Sequence, residues 1–319
     1  MISEPTVLVL GAGVSKPYGY PIGSELVQDV FLQIVKPEWT QILLACSYKQ
    51  AEIDEFRSRL HQSHVLTIDA FLEQQREFSG VGKSAIALSL LTRENPDAIH
   101  DFEVRNVGIY DYLLAQLRTD WQSLGKNKLS IITFNYDRSL EYFLFTALEH
   151  GFGQPREEIA AALNAGIVPV IHVHGSLGPL PWQSRDGSEY FPLFAGHVQP
   201  AEIKKRVEDA RNSIFTVAEA SQQYILARER IRGARRIYFL GFGYDESNLG
   251  LLGLSEFNFV DVQLKPRFMN AKYQSRHISG SAMHLGTAQI EAIQNKWRIR
   301  LPDNTSNALE FLRNYAVLT

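Results

Sequence analysis

The sequence predicts an α/β protein, a parallel sheet wound with helices on both faces, and three observations predict it. Val7-Leu8-Val9-Leu10 runs without polar alternation, as a strand buried on both faces does. That run ends in Gly11-Ala12-Gly13-Val14-Ser15, a tight turn whose glycines admit close backbone approach. Later apolar runs at 129–134, 167–173 and 235–240 also end in polar or glycine turns, with helical text between them.

Taken in order, Ile22–Val35 reads as the first helix, with Pro21 setting its first turn and Leu26, Val30 and Phe31 forming its apolar stripe. From Pro37 to Asp120 the text is helical, with segments predicted at 38–44, 52–60, 67–76, 83–91 and 105–121, and no strand interrupts it. A block of this kind after the first strand and helix reads as an inserted subdomain or lid. Gly80-Val81-Gly82-Lys83-Ser84 inside it looks like a phosphate loop, but Glu77 stands where that motif needs glycine and no buried strand precedes it. It is read as a turn and helix start. A helix is predicted over 138–150, a polar loop and helix over 184–212, and another helix over 213–232. Met283–Thr287 is read as a short fifth strand and turn, and Asn304–Ala316 as a closing amphipathic helix.

The chain has 319 residues, enough for one large or two modest domains. A net charge of -3 and a pI near 6.3 give no electrostatic case for a nucleic-acid or membrane-surface partner. Cys46 is the only cysteine, which excludes an internal disulfide and a cysteine-rich zinc site and suits a reducing cytoplasm. The N-terminus lacks a basic leader and no run approaches a membrane span, so a cytoplasmic location is expected.

The polar residues at strand ends are the candidates for chemistry, since ligands of open α/β sheets bind beyond the carboxyl ends of the strands. Thr133, Asn135 and Asp137 follow the second strand; helix capping accounts for one of the two last residues but not for both together with Thr133. His172 and His174 share a face if their strand continues that far. They lack a third ligand at metal spacing, so no metal is expected. Gly175 lets the chain turn and leave the His174 imidazole facing the cleft. Gly241 and Gly243 form a second glycine turn ahead of Asn248, able to meet ribose or phosphate, while Asp245 is able to cap the next helix.

Joined in order, these pieces resemble one family. GAGVS at 11–15 with Gly19 and Pro21 behind it, Thr-Phe-Asn-Tyr-Asp at 133–137, His174-Gly175, and the turn at 241–243 occur in the order of the sirtuins. The chain resembles a sirtuin-like NAD-hydrolase domain of the prokaryotic antiviral-defence branch. The resemblance implies a Rossmann-like doubly wound parallel sheet over 1–36 and 122–319, with a helical insertion over 37–121 and no zinc ribbon. It implies that Gly11, Ala12, Gly13 and Ser15 bind the NAD pyrophosphate region, and that Thr133, Asn135 and Asp137 line the nicotinamide and ribose pocket. His174 would be the general base, and Gly241, Gly243 and Asn248 would fall near the adenosine half. Phe134 departs from the family's glutamine.

Deacetylating members carry a four-cysteine zinc ribbon beside the acyl-lysine groove, which a chain with one cysteine cannot build. Water is therefore the expected acceptor, and the expected activity is NAD+ hydrolysis to nicotinamide and ADP-ribose. The resemblance further implies a homo-oligomer, switched on by assembly with a HerA-type ATPase or a nucleic-acid-sensing partner. A protein deacylase or ADP-ribosyltransferase using the same histidine, and a non-catalytic NAD or ADP-ribose sensor, are the alternatives.

Overall fold

The computed structural model describes residues 1–183, 200–217, 219–254 and 276–319. These form an α/β, Rossmann-like fold around an all-parallel five-stranded sheet of order β3-β2-β1-β4-β5. The strands are β1 (Thr6–Leu10), β2 (Leu129–Thr133), β3 (Val170–His172), β4 (Arg236–Leu240) and β5 (His277–Gly280). β1 is central, pairing Leu10 with Thr133 on one side and with Leu240 on the other, so three strand ends stand level.

The period-two geometry of a strand divides the core in two. Leu8, Leu10, Ile131, Tyr238 and Leu240 face one cluster, and Val7, Val9, Ile132, Ile237 and Phe239 face another. Both clusters need cover, which is why β1 carries no polar residue between Val7 and Leu10.

Between β1 and β2 the chain forms α1 (Gly23–Gln33), α2 (Pro37–Ala45), α3 (Gln50–Gln62), α4 (Ile68–Gln74), α5 (Ser79–Leu91), α6 (Pro96–His100), α7 (Phe102–Val107) and α8 (Tyr110–Leu117). The segment predicted as one helix over 105–121 is two, α7 and α8, parted at Gly108, where a Cβ would lie 2.2 Å from the Tyr18 hydroxyl. The phosphate-loop look-alike lies wholly inside α5, which starts at Ser79. α5 is buried almost all round, packing on α1, α2, α3 and α4. Its Lys83 meets Glu219 at 2.6 Å, and Ser84 meets the Tyr48 hydroxyl at 3.0 Å.

α9 (Ser139–Phe152) and α10 (Arg156–Asn164) join β2 to β3; α11 (Pro200–Ser213) and α12 (Ser221–Gly233) lead to β4. The polar stretch predicted from Ser184 lies, as far as residue 199, outside the described residues. The helix predicted from Ser213 begins only at Ser221, since Glu219 bonds the Thr216 N–H at 2.7 Å and turns the chain first. α13 (Glu246–Leu251) follows β4, and α14 (Thr287–Trp297) and α15 (Ala308–Tyr315) close the chain. The fifth strand is His277–Gly280, ahead of the predicted 283–287, which forms the turn into α14. There His284 adopts a left-handed φ of 70°, incompatible with a strand.

Candidate functional site

Strand order reverses between β1 and β4, and the two glycine turns leave the sheet side by side at that point. The Gly11 N–H donates to Leu240 O and the Gly13 N–H to Gly241 O, both at 3.0 Å. A Cβ on Gly11 would lie 2.5 Å from Gly241 O, and one on Gly13 would lie 2.9 Å from Gly241 Cα. Gly241 itself has φ +55°, with Val14 N only 2.5 Å from where its Cβ would stand. The glycines let two chain segments touch each other. Ala12 opens a short 3-10 turn in which the Val14 and Ser15 N–H groups donate to Gly11 O and Ala12 O. The N–H of Ile22, ahead of α1, is taken by Glu25, whose other carboxylate oxygen holds Lys16 at 2.5 Å. Gly243 differs: it is exposed, and nothing lies within 4 Å of its Cβ position.

Ser15, Thr133, Asn135 and Asp137 converge over this turn. Asn135 Nδ2 donates to Gly11 O at 3.1 Å and to Ser15 Oγ at 2.9 Å, and its own N–H donates to Thr133 Oγ1 at 3.1 Å. Asp137 Oδ1 accepts from the Ser139 N–H at 3.1 Å and from the Ser139 hydroxyl, and so caps the first turn of α9. Tyr110, stacked on Tyr18 at 3.9 Å, shares the Ser139 hydroxyl at 2.7 Å. Burial raises the Asp137 carboxyl above its ordinary value, with hydrogen bonds from Ser139 and Ser15 pulling the other way.

The two histidines part company, because β3 ends at His172 and the chain turns before His174. His172 Nδ1 lies 2.8 Å from Asn135 O, and its Nε2 lies 2.5 Å from Glu141 Oε1 on α9. Since a carbonyl and a carboxylate both accept, both ring nitrogens donate and the ring is cationic. Burial opposes that charge, but Glu141 and the Asn135 carbonyl outweigh it and lift His172 above its ordinary value. Burial likewise works against the Glu141 anion, and the His172 charge holds it below its ordinary value nonetheless.

His174 sits in an aromatic box. Its ring lies 5.5 Å from Phe134, 5.9 Å edge-on from Tyr224 and 6.4 Å from Tyr136. Nε2 is 3.4 Å from the Tyr224 hydroxyl, which donates to Asn248 Oδ1 at 3.0 Å. Nδ1 is buried with no hydrogen-bond partner. Phe134 thus forms one wall of the box, and it also meets Phe242 at 5.0 Å.

No protein-family model and no curated protein matches this chain. Among the described residues, no three His, Cys, Asp or Glu side chains are placed to hold a metal ion, and no helix is long and apolar enough to cross a membrane.

Four residues at the site escaped the sequence reading. Tyr136 donates to Asp69 of α4, and Glu73, one turn further along α4, is raised above its ordinary value by burial and then by Asp69, with His174 pulling it down. The helical block therefore brings two carboxylates to the neighbourhood of His174. Their spacing of four within a predicted helix put them on one face, but nothing in the sequence told which way that face would look. Tyr224 was hidden in the same way, as one residue of a long polar helix.

Proposed function

We propose that the chain is an NAD+ hydrolase that cleaves the bond between nicotinamide and ribose with water as acceptor. One observation carries the reading: His174, two residues past the end of β3, presents a buried, unpartnered Nδ1 beyond the carboxyl ends of the strands, its ring 5.5 Å from Phe134 at the exit of β2. Burying such a nitrogen without a partner costs about 1–3 kcal/mol, which a ligand or water proton would recover.

In this reading the C1′–N bond breaks with its electron pair passing to the nicotinamide ring, which leaves neutral. An oxocarbenium-like ribose results, and a water oxygen adds to C1′ while its proton passes to His174 Nδ1. Asn135, tied to Gly11 and Ser15, sets the position of the turn, and Asp137 fixes the start of α9 beneath it. In keeping with the sirtuin resemblance, the chain acts as an NAD-depleting antiphage effector, silent until it assembles with itself or with a partner ATPase or nucleic-acid sensor.

The experiment is incubation of purified protein with NAD+, following nicotinamide and ADP-ribose, alone and with the protein encoded beside it. Turnover should fall by about a hundred- to ten-thousand-fold in His174→Ala with its thermal midpoint retained. Retained cleavage in that variant refutes the assignment. The burial of Asn135, Asp137 and His174, each at most 9 % exposed, favours a second reading as an NAD or ADP-ribose sensor. Ligand-dependent thermal stabilisation without nicotinamide release would decide for it.

A further inference from the structure

The donors and acceptors around His174 fix which of its ring nitrogens carries the proton. Tyr224 has a single hydroxyl proton, and its oxygen lies 3.0 Å from Asn248 Oδ1, an atom that only accepts. That proton is therefore committed to Asn248. Towards His174, 3.4 Å away, the same oxygen is left as an acceptor, so the proton between them belongs to Nε2. A neutral imidazole protonated on Nε2 carries its lone pair on Nδ1, and Nδ1 is the buried ring nitrogen with no partner. The contact is long, as catalytic hydrogen bonds often are before a ligand tightens them.

The frame around the pair is rigid. Tyr224 is buried on α12 and meets both Phe134, at 6.4 Å, and the His174 ring, at 5.9 Å. Asn248 is held by its own N–H, which donates to Asp245 at 3.0 Å at the start of α13. Neither residue's side chain touches Asn135, Asp137 or the glycine turn in any bond described above, so their effect runs through His174.

We propose that Tyr224 and Asn248 are positioning residues that hold His174 with its proton on Nε2 and so make Nδ1 the atom that accepts the proton. This rests on the reading of His174 as general base, and it moves Asn248 from the adenosine half of a bound dinucleotide to the catalytic histidine.

The test uses full-length protein carrying 15N-labelled histidine, with His174 assigned by comparison with His174→Ala. The wild-type resonance should be that of the neutral Nε2–H tautomer. Tyr224→Phe keeps the ring and removes the acceptor; Asn248→Ala frees the Tyr224 proton to point at Nε2. Both should shift the tautomer balance. Both should also lower kcat roughly tenfold, the size of one lost neutral hydrogen bond, with KM unchanged. Accepting from Nε2–H favours the protonated ring, so its loss in Tyr224→Phe should move the acid limb of the kcat profile to lower pH. Asn248→Asp retains an acceptor for the Tyr224 proton and should keep the wild-type tautomer. An unchanged tautomer and pH limb in Tyr224→Phe and Asn248→Ala would overturn the proposal, as would Asn248→Asp behaving like Asn248→Ala. If wild-type protein leaves NAD+ intact, the hydrolase reading fails by itself, and the tautomer measurement still decides the role of Tyr224 and Asn248.

Discussion

Gly11, Gly13 and Gly241 look in sequence like a phosphate cradle, yet each is required by its neighbour across the gap between β1 and β4. Gly11→Ala forces a Cβ to within 2.5 Å of Gly241 O and 2.7 Å of Phe242 Cα, and both are backbone atoms that cannot yield. It should lower the thermal midpoint whether or not NAD+ is present. Gly243→Ala meets nothing within 4 Å, so its midpoint should stay near wild type, and a weaker NAD+ response there would mark Gly243 as a ligand contact. Thermal melts of both variants, with and without NAD+, separate packing from binding. Capping was expected to explain one of Asn135 and Asp137 and it does, for Asp137 binds Ser139 while Asn135 reaches back to Gly11 and Ser15. Which residue would cap depended on a turn no local pattern reveals. His172 and His174 share a face only where their strand runs past both; β3 stops between them and gives them different neighbours.

At the scale of elements, the edge strand β3 spans only three residues, and a buried ion pair fastens it to α9. The pH dependence follows from the two shifts. His172 is raised in the folded chain, so its contribution is whole below the ordinary 6.5 and disappears as pH climbs through the folded value. Glu141 is lowered, so its contribution is whole above the ordinary 4.5 and disappears as pH drops through the folded value. The stability lost in His172→Gln, measured by urea unfolding, should therefore be largest between pH 4.5 and 6.5 and narrow above that window. A difference that stays flat with pH would refute the charged pair. Arg138 plays a comparable part between the helical block and β2's exit, meeting Glu94 at 2.6 Å and the carbonyls of Gly178 and Pro179. Glu94 is 1 % exposed, and breaking such a pair leaves a buried charge uncompensated. Arg138→Met should destabilise the protein by about 3–5 kcal/mol in chemical denaturation.

For the whole molecule, the sheet was the legible part. Runs such as Val7–Leu10 announce strands covered on both faces, and their glycine or polar endings announce parallel connections. The helical block was legible as helices but not as neighbours of the site. Its cluster is continuous with that face of the sheet, since Phe56, Phe71 and Ala85 belong to the same core as Leu8 and Leu240. What an apolar stripe packs against is decided by distant residues, so α4 and its carboxylates could not be assigned to His174 from the text alone. Short segments fared worst. α6, α10 and α14 have no clear signature in the sequence, and β5 lies six residues ahead of the apolar run at 283, because a few turns of weakly patterned chain carry little signal.

The central strand is also the first to be made. Its two partners begin at Leu129 and Arg236, so a nascent chain exports Val7–Leu10 long before anything exists for it to pair with. At about 5–20 residues per second, the ribosome needs on the order of ten seconds to deliver even the nearer partner. Through that interval an apolar strand with two bare edges must be shielded, either by the helices that follow it or by a chaperone. Assembly of this sheet is thereby a late event in biosynthesis, governed by long-range closure.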